Sequence, residues 1–122
     1  MKPKTGERLA KAQRDVAAAK ILLRERMDEH VLFLCEQCLE KTLKEIWVEQ
    51  REDDPLRTHS LPGLIATLGL RLTPEQESTV RTVDALHIRT RYPDEPLGEG
   101  LDVPEIFSRT EELHQWLCAQ MK

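Results

Sequence analysis

Glycine is scarce in this chain, five residues among 122, which argues against a fold of many tight turns and short strands. Two of the five, Gly98 and Gly100, lie close together but have neither the spacing nor the preceding strand of a phosphate-cradling loop. Long apolar runs are missing too. Nothing approaches the ~18 residues of a membrane span, and Met-Lys-Pro-Lys-Thr-Gly-Glu leads into charged helix instead of the apolar core of a signal peptide. No membrane contact and a cytoplasmic location are therefore expected. The cysteines are few and odd in number, Cys35, Cys38 and Cys118, so free thiols in a reducing compartment are expected. There is no basic excess: 18 Lys and Arg against 22 Asp and Glu leave a net charge of −4. Nothing suggests a surface tuned as a whole for nucleic acid, and any anion site must come from local clustering. No Ser or Cys has a base at a distance that the sequence can reveal.

What is present is helical periodicity. No segment alternates as a strand does, no repeat recurs, and no stretch is of low complexity. The fold class is all-α, one domain over residues 1–122, large enough to bury roughly two-thirds of its unfolded surface. A first helix is predicted from Thr5 to Met27, with Leu9, Ala12, Val16, Ala19, Leu23 and Met27 stepping by three or four. Ala17, Ala18 and Ala19 suggest a closely packed neighbour. Asp28, Glu29 and His30 form a short polar break before a second helix that runs to about Gln50, giving an antiparallel pair. Ser60 caps a short third helix whose Pro62 fits the first turn and which Gly69 ends. Thr73-Pro74-Glu75-Gln76 starts a fourth, to about Arg89 or Thr90, that buries Val80, Val83, Leu86 and part of His87. Tyr92 to Leu101, with Pro93, Pro96, Gly98 and Gly100, is a loop. Asp102 and Glu105 open the last helix, which packs through Ile106, Phe107, Leu113, Leu117 and Met121.

The second helix organises the rest. At 100° per residue, Leu32, Cys35, Leu39, Leu43 and Ile46 fall on one stripe, the core face. Gln37, Glu40, Lys41 and Lys44 line the other side, flanked by Phe33, Trp47 and Val48. A solvated face rarely carries three such apolar groups, so this is a second contact surface, against another element or another chain.

Cys35 and Cys38 form a Cys-x-x-Cys, but they lie inside a helix with no second ligand pair, so they read as core packing and not as a metal or redox site. No metal and no cofactor is expected. Arg-x(4 to 6)-His spacing occurs as Arg24 with His30, Arg81 with His87, and Arg109 with His114. On a regular helix Arg81 and His87 diverge by roughly 120°, so a shared phosphate would need a distorted helix or a second chain. The alternative is a solvated Arg and a half-buried His. What remains is a basic and aromatic set: Lys41, Lys44, Arg57, His59, Arg89, Arg91 and Tyr92. These residue types bind phosphate and stack on bases; they equally form ordinary surface ion pairs and favourable helix ends. Both readings stand on the residues alone.

Taken in order, Phe33, Gln37, Glu40, Lys41, Lys44, Thr58-His59-x-Leu61, Leu64 and Arg91-Tyr92-Pro93-Asp94, together with Asp15 and the alanines of the first helix, resemble the HEPN (higher eukaryotes and prokaryotes nucleotide-binding) domain family, in its Arg-Tyr-Pro-Asp branch. The resemblance implies an up-and-down bundle of four to five helices, commonly a homodimer, paired with a minimal nucleotidyltransferase in a two-component system of the toxin and antitoxin type. It implies a nucleotide or phosphate cleft lined by Gln37, Glu40, Lys41, Lys44, His59, Arg91, Tyr92 and Asp94. Some branches are metal-independent ribonucleases using Arg-x(4 to 6)-His. Here that alternative rests on Arg81 and His87, with nucleic acid as its substrate; the Arg-Tyr-Pro-Asp branch generally lacks the motif.

Overall fold

The computed structural model describes the backbone of residues 3–91 and 100–121, and the side chains of residues 6–86 and 100–121. Five helices follow one another: α1 (Pro3–Arg24), α2 (Asp28–Gln50), α3 (Leu61–Leu68), α4 (Pro74–Arg91) and α5 (Val103–Ala119). The expected all-α bundle forms, with no strand among the described residues. None of these helices is long and apolar enough to cross a membrane.

The α1–α2 hairpin departs from expectation at its turn. α1 ends at Arg24, three residues early, and Asp28 and Glu29 already belong to the first turn of α2. The cause is electrostatic: carboxylates are stabilised beside the free N–H groups of a helix N-terminus, so Asp-Glu starts a helix here instead of breaking one. The reversal falls on Glu25 to Met27, with Arg26 at φ 56°, a left-handed conformation that costs a non-glycine residue roughly 1–2 kcal/mol. The close helix contact is made by Ala12 and Ala19, two turns apart and both buried; Ala17, expected there as well, is exposed.

The other helix ends follow their side chains. Ser60 Oγ accepts from the Gly63 N–H at 3.2 Å, and Gly69 closes α3 at φ 68°. Thr73 and Gln76 cap α4 reciprocally, the Thr73 N–H donating to Gln76 Oε1 at 2.9 Å and the Gln76 N–H to Thr73 Oγ1 at 3.2 Å. At α5 only half of that box forms. Asp102 Oδ1 accepts from the Glu105 N–H, while the Glu105 side chain turns to Arg109 Nε at 2.9 Å.

α2 is the axis of the bundle and touches all four other helices. Its stripe, Leu32, Cys35, Leu39, Leu43 and Ile46, meets Val80, Val83 and Leu86 of α4 and Phe107, Leu113 and Leu117 of α5 in one core. Truncating any of these large aliphatics to alanine costs about 2–5 kcal/mol. Cys35 belongs to this core, and Cys38 is buried as well. Burial pushes Cys35 up to about 11 and Cys38 further still, so both are neutral packing groups, as expected. Thr42 and His114 join α2 to α5 inside this core, with Thr42 Oγ1 2.9 Å from His114 Nδ1 and 2.7 Å from the Cys38 carbonyl. A hydroxyl has one proton: given to the carbonyl, it leaves His114 to donate from Nδ1.

Candidate functional site

The site is assembled by the segment between α2 and α3 folding back over the end of α2. Trp47, 2% exposed, fastens it. Its indole N–H donates to the Asp53 carbonyl at 3.2 Å, and Arg51 covers the ring face at 4.3 Å while donating from Nε to Asp53 Oδ1. The flanking tryptophan of the second face is thus enclosed by the protein's own chain. With the segment so held, His59 reaches α2.

His59 Nδ1 lies 2.6 Å from Glu40 Oε1. A carboxylate only accepts, so Nδ1 carries the proton. Lys44 Nζ sits 3.5 Å from the same oxygen, which makes Glu40 the hub of a three-residue charge group. One turn earlier, Glu36 is fully buried, and Gln37 Nε2 donates to its Oε2 at 2.9 Å. Glu36, Glu40 and His59 offer ligand atoms within 4.8 Å of one another; two carboxylates and an imidazole are donors that a divalent cation accepts, though the short His59–Glu40 bond occupies one pair of them.

Gln37, Glu40, Lys44 and His59 are therefore brought together. Lys41 is not part of that group. Its Nζ is bound to Asp15 Oδ2 of α1 at 2.7 Å, because on a helix enclosed by neighbours the adjacent position points to a different one. Of the other two predicted flanks, Phe33 is 43% exposed and Val48 is half-buried. Arg89 and Arg91 lie at the end of α4, but their side chains, like the His87 side chain and the whole of Tyr92 and Asp94, lie outside the described residues. Arg81 borders a cavity of ≈ 340 Å³ with Pro62, Ile65, Ala66, Leu70, Leu72, Glu77 and Val80, a largely apolar surrounding.

On the far side of Lys44 a second cavity, of ≈ 250 Å³, is lined by Arg8, Lys44, Asp54, Pro55, Leu56 and Arg57. Beside it Glu45 is fully buried, with neither carboxylate oxygen hydrogen-bonded. Its nearest cation is Arg8, with Nε at 4.0 Å. Burial pushes the Glu45 carboxyl up to about 7, and Arg8 partly offsets that rise.

The sequence matches the HEPN domain family over residues 5–121. The chain belongs to that family. Two solved structures share its fold. An archaeal HEPN homologue, ST0689, is 24% identical, with a TM-score of 0.74 over 100% of both chains. TT1696 from Thermus thermophilus is 20% identical, with a TM-score of 0.81 over 97% of this chain and 98% of that one. No curated protein matches the sequence.

In this HEPN bundle the residues that sequence reasoning passed over are Glu36, Glu45 and Arg8. Glu36 is one turn from Glu40, and that i, i+4 spacing was readable as a shared face. Glu45 is nine residues from Glu36, on the opposite side of the helix at 100° per residue. No division of α2 into two faces could bury both.

Proposed function

We propose that this HEPN chain is a nucleotide- or phosphate-binding module of the Arg-Tyr-Pro-Asp branch, a cytoplasmic homodimer working beside a minimal nucleotidyltransferase in a two-component system of the toxin and antitoxin type. The observation that carries the reading is the corner at Lys44. There a basic side chain, partly withdrawn from water, is paired with Glu40, which His59 also binds, at the mouth of a cavity. A partly desolvated ammonium interacts with a phosphate more strongly than one in bulk water. Its link to Glu40 at 3.5 Å is loose enough for an incoming anion to compete.

The homodimer draws support from exposed apolar groups. Ile21, Met27 and Phe33 are 60%, 42% and 43% exposed and all belong to the end of the hairpin where α1 turns into α2. Grouped large apolar side chains at a surface mark association sites. Light scattering on the purified chain tests this directly: a dimer is expected, and Phe33→Glu should yield monomers. Calorimetric titration of the chain with nucleotides tests the ligand, with binding weakened in Lys44→Ala. Co-elution with candidate nucleotidyltransferases tests the partner separately.

A further inference from the structure

We propose that the ≈ 250 Å³ cavity bounded by Arg8, Lys44 and Arg57 is the anion subsite of the module, seating the terminal phosphates of a nucleoside diphosphate or triphosphate. This rests on the nucleotide-binding reading and gives it a place. Three cations from three segments, α1, α2 and the α2–α3 connection, converge on one small space in a chain whose net charge is −4. Like charges drawn together oppose each other, and an anion between them removes the conflict. Asp54 is the single acidic group in the lining.

The neighbouring chemistry fixes the direction. On the other side of Lys44, Glu36 and Glu40 present two carboxylates beside His59, where a phosphate would meet its own sign of charge. The cation-lined cavity is the side on which it can rest. Its size agrees, because whole small ligands fill roughly 300–1,000 Å³, so this space accepts the phosphate end and leaves the nucleoside outside, beside Pro55 and the exposed Leu56.

The three cations are available. Arg57 is exposed and forms no ion pair with any described residue. Arg8 approaches Glu45 only to 4.0 Å and Lys44 approaches Glu40 only to 3.5 Å. Arginine offers forked donors that match phosphate oxygens two at a time.

The test is titration calorimetry of the full chain with inorganic pyrophosphate, AMP, ADP and ATP, on the natural sequence and on Arg57→Gln, Arg8→Gln and Asp54→Asn. Pyrophosphate and ADP should bind, AMP more weakly, with all affinities falling as salt rises. Arg57→Gln and Arg8→Gln should each weaken ADP about tenfold, the scale of one charge-assisted hydrogen bond. Asp54→Asn should tighten it by about threefold, since a like charge leaves the lining; a misfolded variant cannot give that gain. Nucleotide binding unchanged in all three variants overturns the subsite and leaves the broader reading intact. Pyrophosphate binding without any nucleotide binding upholds the anion cavity but removes the nucleotide. Binding of neither overturns both.

Discussion

Thr42 and Glu45 lie three residues apart on α2, both fully buried, and the protein treats them in opposite ways. The Thr42 hydroxyl is met on both sides, by the Cys38 carbonyl and by His114, so a polar group inside the core is satisfied at little cost. Glu45 has no hydrogen bond to either oxygen and only a distant arginine. Burying a carboxylate in that state costs free energy unless it takes up a proton. The first arrangement joins α2 to α5. The second stores unfavourable electrostatics beside the cation-lined cavity, where an unmet charge keeps Arg8 close to the site that we assign to phosphate.

The largest expected effect breaks the Glu45 side. Its carboxyl titrates at about 7 in the folded chain against an ordinary 4.5. Between these values the folded state binds more protons than the unfolded state, so this group's contribution to stability is complete below about pH 4.5 and is lost as pH rises through about 7. Water around the partly exposed Arg8 screens part of the full shift. Glu45→Gln should then stabilise the chain at pH 8 by about 2 kcal/mol, measured by urea unfolding. Equal or lower stability of the variant at pH 8 would refute the buried-charge account.

Thr42→Val breaks the other side. It preserves shape but leaves His114 Nδ1 only the Cys118 sulfur at 3.8 Å, and should cost about 1–3 kcal/mol in the same unfolding measurement. His114 sharpens the contrast through its sign. Burial holds its imidazole below the ordinary 6.5, so the unfolded state binds the proton first and stability falls as pH drops below that value. The two slopes oppose each other just below pH 6.5. Glu45→Gln should expose a steady acid-side loss, and His114→Phe a gain on acidification; parallel profiles in the two variants would contradict the assignment. The smallest expected effect on stability is at the cavity rim. Arg57→Gln should change it by less than about 0.5 kcal/mol, so any affinity it loses is a matter of binding.

How much of this was legible in the sequence differs between the core and the site. The caps at Ser60, Thr73 and Asp102 and the stripe from Leu32 to Ile46 depend on local spacing, and they formed as read except that Glu105 turns to Arg109 instead of closing the box at Asp102. The α1–α2 turn was misplaced because Asp28 and Glu29 suit a helix start as well as a loop, and nothing nearby marks Arg26 for positive φ. The site was half legible. Glu40, Lys44 and His59 lie in contact, whereas Lys41 is committed to Asp15, a contact between helices that spacing along α2 does not encode. Glu36 and Glu45 were missed for one reason: acidic residues on a helix read as solvated, and only a helix with neighbours on several sides, as α2 has, buries charges on opposite sides at once.

Lys44 is where a phosphate site at this corner of the bundle meets its most direct test. Titration calorimetry of ADP into the natural chain and into Lys44→Ala, at equal salt and with equal folded content, should show affinity falling about tenfold or more in the variant. Indistinguishable affinities in the two proteins would contradict the site.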